Sequence, residues 1–97
     1  MASYIILFRF AGQGIKNIKD SPARVKEAKE SFRNLGVEVK QFFSVMGRYD
    51  TVFIVEAPDD ETMARATLAL SSYGNVRTET LRAFTEEEFE KIVSGIK

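Results

Sequence analysis

The chain predicts an α+β fold, with a four-stranded antiparallel sheet, two helices on one face and a short helix at the end. Three observations carry that expectation. Four β-rich runs and two helical runs follow the order β-α-β-β-α-β. The middle two strands are joined by a segment short enough for a hairpin. Several strands are apolar on both alternating faces, so the sheet needs cover on both sides.

The first strand is "YIILFRF", residues 4–10. Tyr4, Ile6, Phe8 and Phe10 form one face, and Ile5 and Leu7 the other. "AGQGIKNIKD" follows and reads as a loop. The first helix runs through "DSPARVKEAKESFRNLG". Ser21 suits its N-cap and Pro22 its first turn. Val25, Ala28, Phe32 and Leu35 recur at helical spacing as a buried stripe, and Gly36 ends the helix.

Residues 37–45 and 49–57 read as strands two and three, with "MGR" between them. "PDDETMARATLALSSYG" is the second helix, its acids placed at the positive end of the macrodipole. Met63, Ala66, Thr67 and Leu70 form its inward face and Gly74 ends it. Strand four is "VRTETLRAF", residues 76–84. In the last helix, Thr85 and Glu88 have capping-box spacing. Its stripe of Phe89, Ile92, Val93 and Ile96 must pack on something. Two β-α-β halves around a central hairpin make the ferredoxin-like arrangement. Residues 1–97 read as one domain, without repeat, linker or low-complexity segment.

Composition narrows the function. The 97 residues hold 44% apolar and 29% charged side chains, which suits one globular core. Fourteen basic and fourteen acidic residues cancel. No nucleic-acid or membrane partner is therefore expected, since either favours a basic excess. The chain has no cysteine and no histidine. Disulfides, thiolate nucleophiles, Cys/His zinc sites and the usual neutral-pH base are thus excluded. The opening apolar run is short and cut by Arg9, so the chain reads as cytoplasmic and unprocessed.

Two helices cover only one face of a four-stranded sheet. The other face should be polar in a monomer, yet strand one is apolar on both faces. Strand three carries Val52 and Ile54 on one face and Phe53 and Val55 on the other, and Phe42 and Phe43 put a ring on each side of strand two. An apolar sheet face of this kind is an association surface. The expected cover is the same face of a second copy, in a homodimer or larger assembly. Two paired sheets form a barrel-like unit whose interior can hold a ligand.

Several residues invite chemistry, and each has a plainer reading. In "GRYD", Gly47 fits a turn and Asp50 can hold nearby amides. The functional reading puts Tyr49 and Asp50 at a cavity mouth. On strand four, Thr78, Thr80 and Arg82 share one face, and Arg77, Glu79, Leu81 and Ala83 the other. Arg82 beside two threonine hydroxyls suits an anionic or carbonyl oxygen. The plainer reading leaves Arg77 and Glu79 in solvent or paired across strands. Arg9 reads as snorkelling to solvent, or else as lining the pocket. "GQG" at 12–14 lacks the Lys-Ser/Thr ending of a phosphate loop. "PDDE" at 58–61 is explained by the helix dipole, so no metal is expected.

The pattern resembles a known family. "GRYD" at 47–50, then "VEAPDDETMARATLAL" and "GNVRTETLRAFTEEEFEKIV", is similar to the GYD-domain family of small bacterial and archaeal proteins. "YIILFRFAGQGIKNIKDSPAR" and "GVEVKQFFSVMGRYD" fit as well. The resemblance covers nearly the whole chain and implies a dimeric α+β barrel. It implies no activity. Related barrels include cofactor-free monooxygenases and ring-converting enzymes, and ligand domains of Lrp/AsnC-type regulators.

The expectation is a homodimeric α+β barrel that binds a small organic or anionic ligand between helix-free sheet faces. Tyr49, Asp50, Thr78, Thr80 and Arg82 are the candidate lining residues, and no cofactor is expected. Two alternatives stand beside it. One is a cofactor-free oxygenase or isomerase relying on orientation and electrostatics. The other is a structural assembly module without a ligand.

Overall fold

The computed structural model describes residues 1–97. Its strands are β1 (Ala2–Phe10), β2 (Glu38–Ser44), β3 (Thr51–Ala57) and β4 (Val76–Ala83). Its helices are α1 (Gln13–Lys16), α2 (Ser21–Asn34), α3 (Asp60–Ser71) and α4 (Glu86–Ser94). The sheet order is β2-β3-β1-β4 and every pairing is antiparallel. This is the ferredoxin-like sheet, with its first and third strands at the centre. No helix is long and apolar enough to cross a membrane.

The register decides which side chains meet the helices. Tyr4, Ile6 and Phe8 of β1 stand beside Val55, Phe53 and Thr51 of β3. They are buried under α2 and α3 together with Ala28, Phe32, Met63 and Ala66. Phe53 sits at the centre of this layer. Phe8, Phe32 and Phe42 meet its ring edge-on, at centroid distances of 4.9, 5.7 and 5.9 Å. Such T-shaped contacts bring positive ring edges against negative faces.

The ends of the elements follow local chemistry. α2 begins at Ser21 with Asp20 as its N-cap, one residue earlier than the sequence suggested, and Pro22 lies in its first turn. It stops where Gly36 takes φ +92°, a conformation costly for other residues. Asp59 caps α3 by accepting the Thr62 N–H at 2.8 Å. That bond favours the ionised carboxylate and holds the Asp59 pKa below its usual value. The expected loop between β1 and α2 contains α1 and a 3₁₀ turn over Ile18–Asp20. The β2–β3 join is wider than the expected tight hairpin, because β2 ends at Ser44 and β3 begins at Thr51.

α4 is well formed and poorly packed. Its capping box is complete, with Glu88 N–H donating to Thr85 Oγ1 and Thr85 N–H donating to Glu88 Oε1. Yet Phe89, Ile92, Val93 and Ile96 are 44–74% exposed. The radius of gyration is 14.6 Å, against about 12.5 Å for a compact chain of this length. The excess reflects an elongated molecule with a long dimension of 52 Å.

Candidate functional site

The face away from the helices is apolar at its centre and charged at one end. Leu7 pairs with Val52 on one side and Glu79 on the other. Ile5 pairs with Ile54 and Leu81. Phe43, opposite Val52, is 50% exposed, and Leu81 is 45% exposed. No helix covers these side chains, and α4 does not fold back across them.

The charged end is built by the β2–β3 connection and the neighbouring ends of β1 and β4. Gly47, at φ +122° with open space around it, lets the connection turn. Tyr49 then reaches over the sheet, and its hydroxyl donates to Glu79 Oε2 at 2.5 Å. Arg9 donates from Nε to the Arg48 carbonyl at 2.9 Å and lays its guanidinium 5.4 Å from the Tyr49 ring centroid. Arg77 lies directly opposite Arg9. A groove lined by Leu7, Arg9, Arg48, Tyr49, Arg77, Thr78 and Glu79 results. None of its three arginines lies in an ion pair; the chain's salt bridges involve Lys40 and Arg65. Like charges facing each other across strands destabilise a sheet. The Glu79 hydrogen bond is the main reason that the Tyr49 pKa is raised. It holds the phenol neutral, as a hydrogen-bonding group and not as a phenolate base.

The register divides the five candidate residues. Tyr49 reaches the uncovered face. Asp50 is engaged by backbone: its Oδ2 accepts the Phe10 N–H at 2.8 Å. Its own N–H donates to Phe8 O, and its carbonyl accepts from Val45 N–H. Thr78, Thr80 and Arg82 stand opposite Phe8, Ile6 and Tyr4, whose side chains face the helix layer. Thr80 and Arg82 therefore point away from the uncovered face, against the expectation that they line it, while Thr78, near the start of the strand, still borders the groove. Arg82 lies over the Phe84 and Tyr4 rings at 4.5 and 5.5 Å and donates to the carbonyls of Ser3 and Ala83. It acts there as a tie along the sheet edge. On the helix side, Tyr4 donates to Asp60 Oδ1 at 2.5 Å. Burial, then this bond, push its pKa up to about 12.

Arg77, Thr78 and Glu79 are thus the strand-four residues that line the groove with Tyr49, and Thr80 and Arg82 are not among them. The sequence grouped Arg77 with Glu79 correctly by parity. Which pair faced the open side depended on the β1–β4 register, which single-strand alternation does not contain.

These features define a class: a ferredoxin-like α+β domain with an uncovered apolar sheet face and a cationic groove at its rim. The chain belongs to the GYD-domain family, whose model matches residues 4–93. It is 40% identical over 84 residues to the "glutamine synthetase and cystathionine beta-lyase binding protein" of Thermus thermophilus, covering 86% of this chain and 88% of that protein. A solved Thermus thermophilus protein is similar at 32% identity and a TM-score of 0.57, over 88% of this chain and 95% of that one. The leucine response regulatory protein of Mycobacterium tuberculosis shares the fold at 19% identity and a TM-score of 0.65. That match covers 87% of this chain but only 51% of the regulator, so the chain spans about half its length.

Proposed function

We propose that this protein is a homodimeric binding module whose two copies pair through their helix-free sheet faces. The uncovered apolar centre of that face, formed by Ile5, Leu7, Val52, Ile54 and Leu81, carries the proposal. Leaving such a face in water forfeits burial worth about 25 cal/mol per Å², and a second copy offers the matching surface. The exposed apolar side of α4 supports the same reading. A helix of 9 residues is marginal in water without packing, since isolated helices need about 12–15 residues.

Pairing encloses the groove at the rim, and a small anionic organic molecule is the ligand it suits. Arg9, Arg48 and Arg77 supply three cations against the single carboxylate of Glu79. A bound anion relieves the Arg9–Arg77 repulsion and accepts charge-assisted hydrogen bonds. The neutral Tyr49 phenol supports binding over acid–base catalysis.

A second reading has its own support. The α4 stripe can dock another protein, and the Thermus thermophilus relative is named for binding two enzymes.

The test is Leu7→Glu, which places a charge at the centre of the face without touching the helix-side core. The wild type should bind succinate, a small dicarboxylate taken as the probe of the groove; the variant should remain folded, sediment as a monomer and lose that binding. A folded dimer that binds succinate as the wild type does refutes the proposal.

A further inference from the structure

A cavity of about 240 Å³ lies on the opposite side of the sheet, inside one protomer, between the sheet and the N-terminal half of α2. Its floor is aromatic, built from Phe8, Phe10 and Phe53. Leu70 and Val76 wall it, and Ala28 leaves room where a longer side chain would fill the space. Protein interiors are close-packed, so an opening of this size within a helix–sheet layer is unusual.

Chain geometry keeps it open. The β1–α2 segment is pinned against the α3–β4 connection by Ala11 N–H donating to Asn75 O at 2.9 Å. Gly14 approaches so closely that a Cβ there would lie 2.2 Å from Asn75 O. α2 thus starts from a fixed anchor to one side of the cavity and does not settle onto its floor.

Polar side chains line it as well: Ser21, Arg24, Glu27, Ser31, Thr51 and Asn75. Thr51, 8% exposed, puts one hydroxyl-bearing side chain among the rings. Half-buried Arg24 stands at the mouth. It gives one N–H to Gln13 O at 3.3 Å and makes no salt bridge, although Glu27 lies on the same rim. A guanidinium has five donors, so Arg24 keeps N–H groups that no protein acceptor takes up.

We propose that this cavity binds a small carboxylic acid with a single ring or short branched apolar body, its carboxylate held by Arg24. The size supports that class. The cavity exceeds the roughly 150 Å³ apolar void that admits benzene and falls below the roughly 300 Å³ at which drug-sized ligands fit. An apolar body lies on the phenylalanines, and the head group meets a guanidinium, a group able to pair with a carboxylate through two N–H donors. The site lies within one protomer, so it does not depend on the dimer.

The experiment titrates the full chain with benzoate and with benzyl alcohol, its uncharged counterpart, following backbone amides by NMR. Saturable shifts are expected at Ala28, Thr51 and Phe53, with benzoate bound at least about tenfold more tightly than the alcohol. Arg24→Met should reduce benzoate to the affinity of the alcohol and leave the alcohol unchanged. Ala28→Leu should weaken both; should it fail to fold, the Arg24→Met comparison decides alone. Shifts confined to Leu7 and Ile54 overturn the proposal, as do equal losses of both ligands in Arg24→Met or no saturable binding of benzoate.

Discussion

The carboxylate of Asp50 accepts the backbone N–H of Phe10 at 2.8 Å, joining the end of the β2–β3 connection to the end of β1. This bond makes Asp50 a structural fastener beside a tyrosine that faces the other way. Asp50→Ala leaves the Phe10 N–H without its partner, which costs about 1–3 kcal/mol. Urea unfolding should show that loss, and Asp50→Asn should recover part of it because an amide oxygen still accepts. Association should change little at protein concentrations where the variant is folded.

Gly14 is required by space and not by a positive φ. Gly14→Ala drives a methyl into the Asn75 carbonyl, and overpacking of this kind costs roughly 1–3 kcal/mol. The melting temperature should fall. Hydrogen exchange should rise first at Ala11, whose N–H is bonded to Asn75.

Tyr4 sets an alkaline limit. Its folded pKa is raised to about 12 by burial, then by Asp60, against about 10 in the unfolded chain. Its contribution is therefore complete below pH about 10 and disappears as pH rises through about 12. Stability should fall across that window, and Tyr4→Phe should flatten the fall attributable to this group.

Arg77 faces Arg9 across the β1–β4 pair. Arg77→Glu replaces repulsion with attraction, so unfolding should become harder by a few tenths of a kcal/mol, up to about 1. Succinate affinity should drop in the same variant, measured by calorimetry. Gain of stability with loss of binding is the signature of a cationic pair kept for a ligand.

Much of the fold was legible because it rests on local chemistry. The β1 parity put Ile6 and Phe8 on one face and Ile5 and Leu7 on the other, and the register shows that division. Thr85 and Glu88 announced the α4 cap, and both of its bonds are present. Gly36 and Gly74 marked real stops at positive φ. The candidate site was less legible. Tyr49 was visible as an odd choice beside a turn, but its partner Glu79 is 30 positions away and depends on strand pairing. Parity groups Thr78, Thr80 and Arg82 but does not say which side the helices take; the register sets all three opposite helix-side residues, and of them Thr78 borders the groove. The helix-side cavity left no sequence signal, since it arises from how Gly14 and Asn75 anchor the start of α2.

The central claim is that the helix-free face is a seam between two copies. Sedimentation equilibrium of the full chain at micromolar concentration tests it directly. The account predicts a mass of at least twice the 11.0 kDa of one chain, reduced to a single chain in Leu7→Glu with native circular dichroism retained. A wild-type chain that sediments only at 11.0 kDa contradicts it.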